Sequence, residues 1–523
     1  MKQTKDILRS DCLSMAARIM THLDRDLTSI SYGCFDRSYW HYKTQDYASL
    51  ILQQGVHALS QLYSNNFLGN KYYRHPDVKK YVIAGVRFWQ KSQHRNGSLA
   101  EYWPGESSIP ATAFSLYAVC QAAGDIGYQD ESLDKSIRRA VKFLSTHPEV
   151  SALNQEVASM CAIAAAEKFL PDSDFAPIHR AKLAVLQSQQ SEEGWLSEYG
   201  GADISYLSVS LNYLMRYHRL TNNRTALHMA GRIVDFLPYF VHPDGSLGGE
   251  YGSRNTEYCL PGGLALAARH FPVASTMLTK IINSPVQPAY DDRYILHYIA
   301  SSYVETLINF PQIKSPPGLP CDQSFAKFFP ESEIYIFSND KYYAIISGHK
   351  GGVIKAVGKN NHTQLVDAGY RIKSGRQHFT SESIRSVNRI NFINENEIEI
   401  GSDFTKYNQL LPTTFRLLIL RWLNYLIGPS IINWLRKLII APRSQTKGKL
   451  KRRIKYRSDQ IEITDQIEFP GNNAELYSAN GLSARHTASS KLFQTTNLDN
   501  LKKPATSRFS QKTNTSKTYH FNQ

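Results

Sequence analysis

Eleven consecutive residues carry an unusual density of chemically useful groups: Gly248-Gly249-Glu250-Tyr251-Gly252-Ser253-Arg254-Asn255-Thr256-Glu257-Tyr258. Glycines let backbone approach a ligand closely. Arg254 can hold a carboxylate through two parallel N–H donors, and Asn255 can hydrogen-bond the same group. Tyr258 is a proton carrier if its pKa is lowered. The plainer alternative is a tight turn capped by Asn255.

This segment is one copy of a repeat. Asn96-Gly97-Ser98-Leu99-Ala100-Glu101-Tyr102 and Glu193-Gly194-Trp195-Leu196-Ser197-Glu198-Tyr199 align with Asp244-Gly245-Ser246-Leu247-Gly248-Gly249-Glu250-Tyr251. The three Glu-Tyr pairs are therefore candidate ligand contacts, together with polar groups at the following helix starts: Glu106, Asp203, Tyr206 and Glu257. In the first hairpin, Trp40-His41-Tyr42-Lys43 and Asp46 occupy the matching place. A catalytic residue is needed once, whereas a glutamate capping the next helix is needed in every copy. Repetition thus argues for a structural role for the motif, and the divergent third copy is the better functional candidate.

Each copy lies between an amphipathic helix (77–93, 178–190, 224–240) and a more apolar one (108–123, 204–220, 259–270). Helices 133–147 and 155–170 flank a degenerate copy near residue 145, and 3–29, 45–63, 272–283 and 291–310 complete six pairs. Hairpins of this length stack into a solenoid or close into a ring. The alanine-rich second helices against basic-faced first helices favour a closed two-layer α/α toroid over 1–312.

A Pro/Gly-rich linker is expected over 313–330, centred on Ser315-Pro316-Pro317-Gly318-Leu319-Pro320. From 331 to 523 the apolar period becomes two, which predicts an antiparallel, sandwich-like β domain and an α+β multidomain chain. Strands are expected at 333–337, 342–347, 352–357, 388–393, 397–400, 453–456 and 460–469. An apolar insert at 415–442, hinged at Gly428-Pro429, reads as an amphipathic helical hairpin. Only 14 residues separate Arg421 from Arg436, too few to span a bilayer. The basic run 443–457 follows, with eight Lys/Arg, no acidic residue and more than half of the formal +15 charge. Together they suggest an anionic membrane surface as partner rather than nucleic acid. A helix packed on the sheet is the alternative.

The six cysteines are far apart, which points to neither zinc nor a disulfide framework. Residues 1–27 lack the apolar stretch of a secretion signal, so a cytoplasmic chain is expected, peripheral on the inner membrane face if the insert binds lipid. No P-loop, Rossmann or metal-ligand pattern occurs, so no cofactor is expected.

A helical toroid followed by a β-sandwich, with Arg254, Asn255 and Tyr258 on a rim loop, resembles the polysaccharide lyases of the heparinase II/III and chondroitin/alginate lyase type. That resemblance implies β-elimination on an acidic, uronate-containing polysaccharide; the missing secretion signal and the basic amphipathic insert fit assembly of a surface polysaccharide on the cytoplasmic side. The resemblance also implies a histidine partner for the tyrosine, His297 or His349. The paired Asn-His signature of those enzymes is absent in recognisable form. The repeats are also similar to those of terpenoid cyclases, but no Asp-x-Asp-Asp motif accompanies them. The reading from a different class is a non-catalytic glycan-binding or scaffolding protein at the cytoplasmic membrane face.

Overall fold

A computed structural model of the chain describes residues 2–286, 290–311, 317–384, 388–407, 413–427, 445–480 and 507–521. The N-terminal part runs through α1 (Lys2–His22), α2 (Arg37–Trp40), α3 (Gly55–Ser64), α4 (Pro76–Lys91), α5 (Ile109–Ile126), α6 (Glu131–Thr146) and α7 (Leu153–Phe169). It continues through α8 (Ala176–Gln189), α9 (Ile204–Thr221), α10 (Arg224–Phe236), α11 (Pro261–Ala267), α12 (Pro272–Ile282), α13 (Asp292–Tyr294) and α14 (Ala300–Ile308).

The small-residue helices form the inner layer. α3 packs on α5, α5 on α7, α7 on α9, α9 on α11, α11 on α14, and α14 back on α3. The ring is closed. Its seam is held by α1 against α12 and α14, with Thr4 and Asn283 hydrogen-bonded to each other and Arg18 paired with Asp292 at 2.6 Å. Inner α7 is buried almost all round because alanines let the neighbouring helices approach, whereas outer α6 buries one face through Leu133, Ile137, Ala140, Val141 and Leu144. The axis is plugged. Arg216 lies fully buried over the rings of Tyr117 and Tyr213, and Glu305 accepts its Nε–H at 2.8 Å.

The structure also explains the repeated glycine. A Cβ on Gly97 (φ 90°) would stand 2.1 Å from the Arg139 carbonyl oxygen, and one on Gly194 (φ 102°) 2.2 Å from that of Arg232. Each loop presses against the backbone of the next outer helix, where only glycine fits. The repeat is thus a ring-building device.

The strands are β1 (Phe325–Phe329), β2 (Ile334–Ser338), β3 (Tyr342–Ser347), β4 (Val353–Gly358), β5 (Gln364–Ser374), β6 (Gln377–Thr380), β7 (Ile390–Asn394), β8 (Glu397–Tyr407), β9 (Thr446–Tyr456), β10 (Gln460–Asn480) and β11 (Ser507–His520). All pair antiparallel, and a β5–β10 pairing folds the sheet back on itself. Tyr342, Ala344 and Ile346 pack against Ile398, Ile400, Ile454 and Ile463 as in a sandwich. The alternate residues Tyr343 and Ile345 join the toroid core. β3 is buried on both faces, which is why its sequence is a continuous apolar run.

Two expectations need correction. The stretch read as linker contains β1, whose Phe329 packs on Phe236 and Phe240 of the toroid. The basic run is largely β9 rather than a free basic segment. Arg452 is fully buried between Asp367 and Asp465 at 2.9 and 2.8 Å, while Lys451 and Arg453 both pair with Glu399. Between β8 and β9 the insert contributes α15 (Thr414–Ile427); the second half of the expected hairpin, with Arg443, lies outside the described residues.

Candidate functional site

The third-repeat loop is gripped from the sheet domain by two buried lysines. The Lys350 ammonium, on the β3–β4 turn, donates to the Glu250 carbonyl at 2.5 Å, the Gly252 carbonyl at 2.9 Å and the Asn255 side-chain oxygen. Lys355, on β4, donates to Glu257 at 2.6 Å and lies 3.9 Å from Glu250. Asp203, the N-cap of α9, holds the loop from the other side by accepting from Thr256 and from the Arg254 backbone N–H. Asn255 takes the left-handed conformation (φ 54°) that asparagine tolerates. The loop is therefore an interdomain lock. Asn255, Glu250, Tyr251 and Glu257 are all buried in it, and their expected role in binding ligand gives way to a structural one.

Tyr258 does not reach the surface. It is 2% exposed, its hydroxyl lies 2.6 Å from that of Tyr298, and burial among neighbouring phenols raises its pKa well above the ordinary range. This corrects the expectation of an accessible phenol with a lowered pKa. Tyr206 and Tyr294 are half-buried and lie over Tyr258, with ring centroids 6.0 and 5.9 Å from it. Burial likewise keeps Tyr206 protonated. His297 stands beside them, 6.3 Å from Tyr294, its Nε2 buried without a hydrogen-bond partner. Burial first, and the Arg293 charge second, lower its pKa far below the usual value, so the imidazole is neutral. A turn of π-helix, Ile295–Ile299, presents it, a distortion frequent at functional sites. His349 is elsewhere, with Glu333, Arg389 and Glu193 as its charged neighbours.

Arg254 is one of two part-exposed polar residues of the loop, with Ser253, which donates to the Glu198 carbonyl at 2.7 Å. The Arg254 guanidinium stacks 4.3 Å over Tyr199, and its Nε–H is buried without a partner. Tyr199 holds a left-handed backbone (φ 51°), a conformation costing roughly 1–3 kcal/mol for a bulky side chain and typical of working sites. Beside it, the carboxyl of Glu198 accepts from the Asn154 amide, and burial raises its pKa well above the carboxylate range.

The first repeat forms a second platform. Glu101 accepts from Ser108, the N-cap of α5, and pairs with Arg293 at 2.6 Å. Arg293 also stacks 4.8 Å from the ring of exposed Tyr102. In this copy the glutamate supports the next helix, though through its serine cap rather than as the cap itself. His41 is exposed, its ring edge-on to those of Trp40 and Tyr42.

The structure thus gathers Arg254, Tyr199, Glu198, Tyr206 and His297 along one rim, beside Tyr102 and Glu101. Sequence reasoning missed Asn154, Arg293, Tyr294 and Tyr298, and the lysines Lys350 and Lys355. Asn154 could have been found by carrying the repeat through its degenerate copy, since it heads the inner helix there. Lys355 was visible as a lone charge in the apolar run Val353-Ile354-Lys355-Ala356-Val357. Among the described residues no group of three or more His, Cys, Asp or Glu is placed to hold a metal ion.

The sequence matches no protein-family model and no curated protein. Solved structures do match. The chondroitin AC lyase of Streptomyces coelicolor superposes with a TM-score of 0.56 at 9% identity, over 91% of this chain and 68% of that one. A Paenibacillus xanthan lyase gives 0.54 at 11% identity, over 90% and 46%, and heparinase III gives 0.52 at 11%, over 84% and 65%. The chain spans about half the length of the xanthan lyase and about two thirds of the other two. At such identities the likeness is one of fold: an α/α toroid followed by an antiparallel sheet domain, as in the polysaccharide lyases.

Proposed function

We propose that this rim binds an acidic, uronate-containing polysaccharide and cleaves it by β-elimination. The observation that carries the reading is Arg254, whose buried Nε–H has no hydrogen-bond partner among the described residues and whose guanidinium lies over Tyr199, with protonated Tyr206 within reach of its charge and neutral His297 beside Tyr294. A sugar carboxylate accepts from Arg254, which withdraws charge and acidifies the C5 proton. His297, being neutral, takes that proton. The electrons form the C4–C5 double bond, the C4–O bond breaks, and a Tyr206 phenol supplies the proton to the leaving oxygen. No co-reactant is required, and the products are an unsaturated uronate and a new hydroxyl end.

The test is absorbance of unsaturated uronates over a panel of acidic polysaccharides. Arg254→Ala is expected to weaken binding by roughly 2–5 kcal/mol, the penalty of a desolvated charge without its partner. Tyr206→Phe is expected to leave binding near wild type and to lower turnover, because it removes a proton and keeps the ring. Product formation unchanged in both variants would refute the assignment.

A second reading has its own support: a non-catalytic glycan-binding or scaffolding protein at a membrane surface, in the assembly of a surface polysaccharide. Asn255 is committed to Lys350 and Tyr258 to Tyr298, which removes two of the groups a lyase would deploy. In addition, α15 exposes Phe415, Leu417, Leu418, Ile419, Trp422 and Leu426, all at least 41% accessible, among Arg416 and Arg421. Such a patch fits an anionic lipid interface. Among the described residues no helix is long and apolar enough to cross a membrane. Glycan binding that Arg254→Ala abolishes, with no product from the wild type, would select this reading.

A further inference from the structure

A cavity of about 370 Å³ opens where the first hairpin meets the last. Its walls include Arg37, Tyr42, Gln45, Tyr102, Arg293 and Leu296. The acidic groups there are already engaged. Asp36 accepts from the Ser38 and Ser49 backbone N–H groups, and Glu101 is held by Arg293 and Ser108. Arg37 differs. Its guanidinium lies 5.0 Å from the Tyr42 ring, its Nε–H is buried without a hydrogen-bond partner, and among the described residues no carboxylate pairs with it. The Gln45 side-chain oxygen is likewise buried and unpartnered. Tyr42 and Tyr102 are 60% and 53% exposed, offering two apolar ring faces at the mouth.

A buried guanidinium N–H and a buried amide oxygen left without partners are costly unless something supplies them. The required occupant has an anionic oxygen for Arg37, a hydroxyl or N–H to donate to Gln45, and a flat apolar face for the tyrosines. A uronic acid unit has all three. The cavity borders the segment that carries part of the proposed cleavage site, since its wall residues Arg293 and Leu296 stand next to Tyr294 and His297 in sequence.

We infer that this cavity is a second subsite of the same rim, in which Arg37 and Gln45 hold an acidic sugar unit stacked on Tyr42 and Tyr102, so that the protein selects chains long enough to reach from Arg254 to Arg37. The inference rests on the reading of the rim as an acidic-glycan site.

Calorimetric titration with oligogalacturonates and chondroitin oligosaccharides, from disaccharide to octasaccharide, tests it. For the wild type, affinity should rise once the oligosaccharide spans both sites. Arg37→Ala should abolish that rise, a loss of about tenfold or more for the longer oligosaccharides, the size of a charged hydrogen bond. It should leave the shortest ligand unaffected, whereas Arg254→Ala should weaken every length. Arg37→Lys should restore only part of the gain, because an ammonium lacks the planar fork. Equal affinity of wild type and Arg37→Ala at every length, with Arg254→Ala still impaired, overturns the second subsite and leaves the rim reading standing. No binding of any oligosaccharide by the wild type overturns both.

Discussion

Replacing Lys355 by methionine should destabilise the protein by roughly 3–5 kcal/mol, the cost of stranding a buried charge when its partner is removed. The lysine is fully buried on β4, and its ammonium lies 2.6 Å from Glu257 and 3.9 Å from Glu250. Burial alone would favour the neutral amine, yet the two carboxylates outweigh it and raise the pKa, so the group is charged. Methionine nearly preserves the volume. The loss therefore reports the stranded carboxylates rather than a cavity. Urea unfolding followed by circular dichroism measures it. Adding Glu257→Leu should recover part of the loss, because an apolar pair removes the stranded charge. Glu250 remains, so recovery is incomplete. Since Lys355 and Lys350 fix the loop that carries Arg254, the single variant should also weaken binding of acidic oligosaccharides. A cost below about 1 kcal/mol would mean that the lysine is not the lock described, and the argument fails.

Two further outcomes are expected. Burial would raise the pKa of Glu305, but Arg216 and Arg219 outweigh it and hold it at about 2, below the ordinary 4.5. A depressed carboxylate stabilises above its unfolded pKa and loses that contribution as pH falls, so the stability gap between wild type and Glu305→Gln should shrink from pH 4.5 toward 2, by up to about 3 kcal/mol. A gap constant over that window, by urea titration, would contradict the ion pair. For α15, substituting serine at Phe415, Trp422 and Leu426 should reduce cosedimentation with phosphatidylserine liposomes, and salt should weaken the wild-type attachment. Its ion pair Arg421–Asp46 to the toroid is exposed and worth at most about 1 kcal/mol, so it does not pin the helix down. Binding unaffected by the substitutions would instead leave a protein partner or a second copy as the occupant.

The toroid was legible because its physics is local and repeated. Helix pairs, the apolar inner faces of α5 and α7, and the glycine of each loop all follow from spacing within about fifty residues. The sheet was legible only where one face is apolar. β11 reads Ser507-Arg508-Phe509-Ser510-Gln511-Lys512-Thr513-Asn514-Thr515-Ser516-Lys517-Thr518-Tyr519-His520, a polar edge strand held by main-chain pairing to β10, and no alternation announces it. The basic run misled for a related reason. Charge was visible, but Asp367 and Asp465, which neutralise Arg452, come from β5 and β10. At the candidate site, residue types singled out the loop 248–258. What the loop does depended on Lys350 and Lys355 from another domain, which no local pattern couples to residues 248–258.

Closure of the ring is what assembles the rim. Arg293 reaches Glu101 across 192 residues, because the last hairpin returns beside the first two. In an open superhelix these two would stand at opposite ends, leaving Tyr102 without its stacked guanidinium and the cavity around Arg37 without its wall of Arg293 and Leu296. Arg254 over Tyr199 repeats the arrangement between successive repeats. In both cases a repeat's tyrosine carries an arginine delivered by a later hairpin, while the glutamate anchors the loop. The repeated motif is therefore structural in its glutamate, and each of its first two tyrosines lies under a guanidinium. The third copy differs, with Tyr251 buried against Phe240 and His242. Its contact is with the sheet domain, whose two lysines fix the loop that holds Arg254 in place.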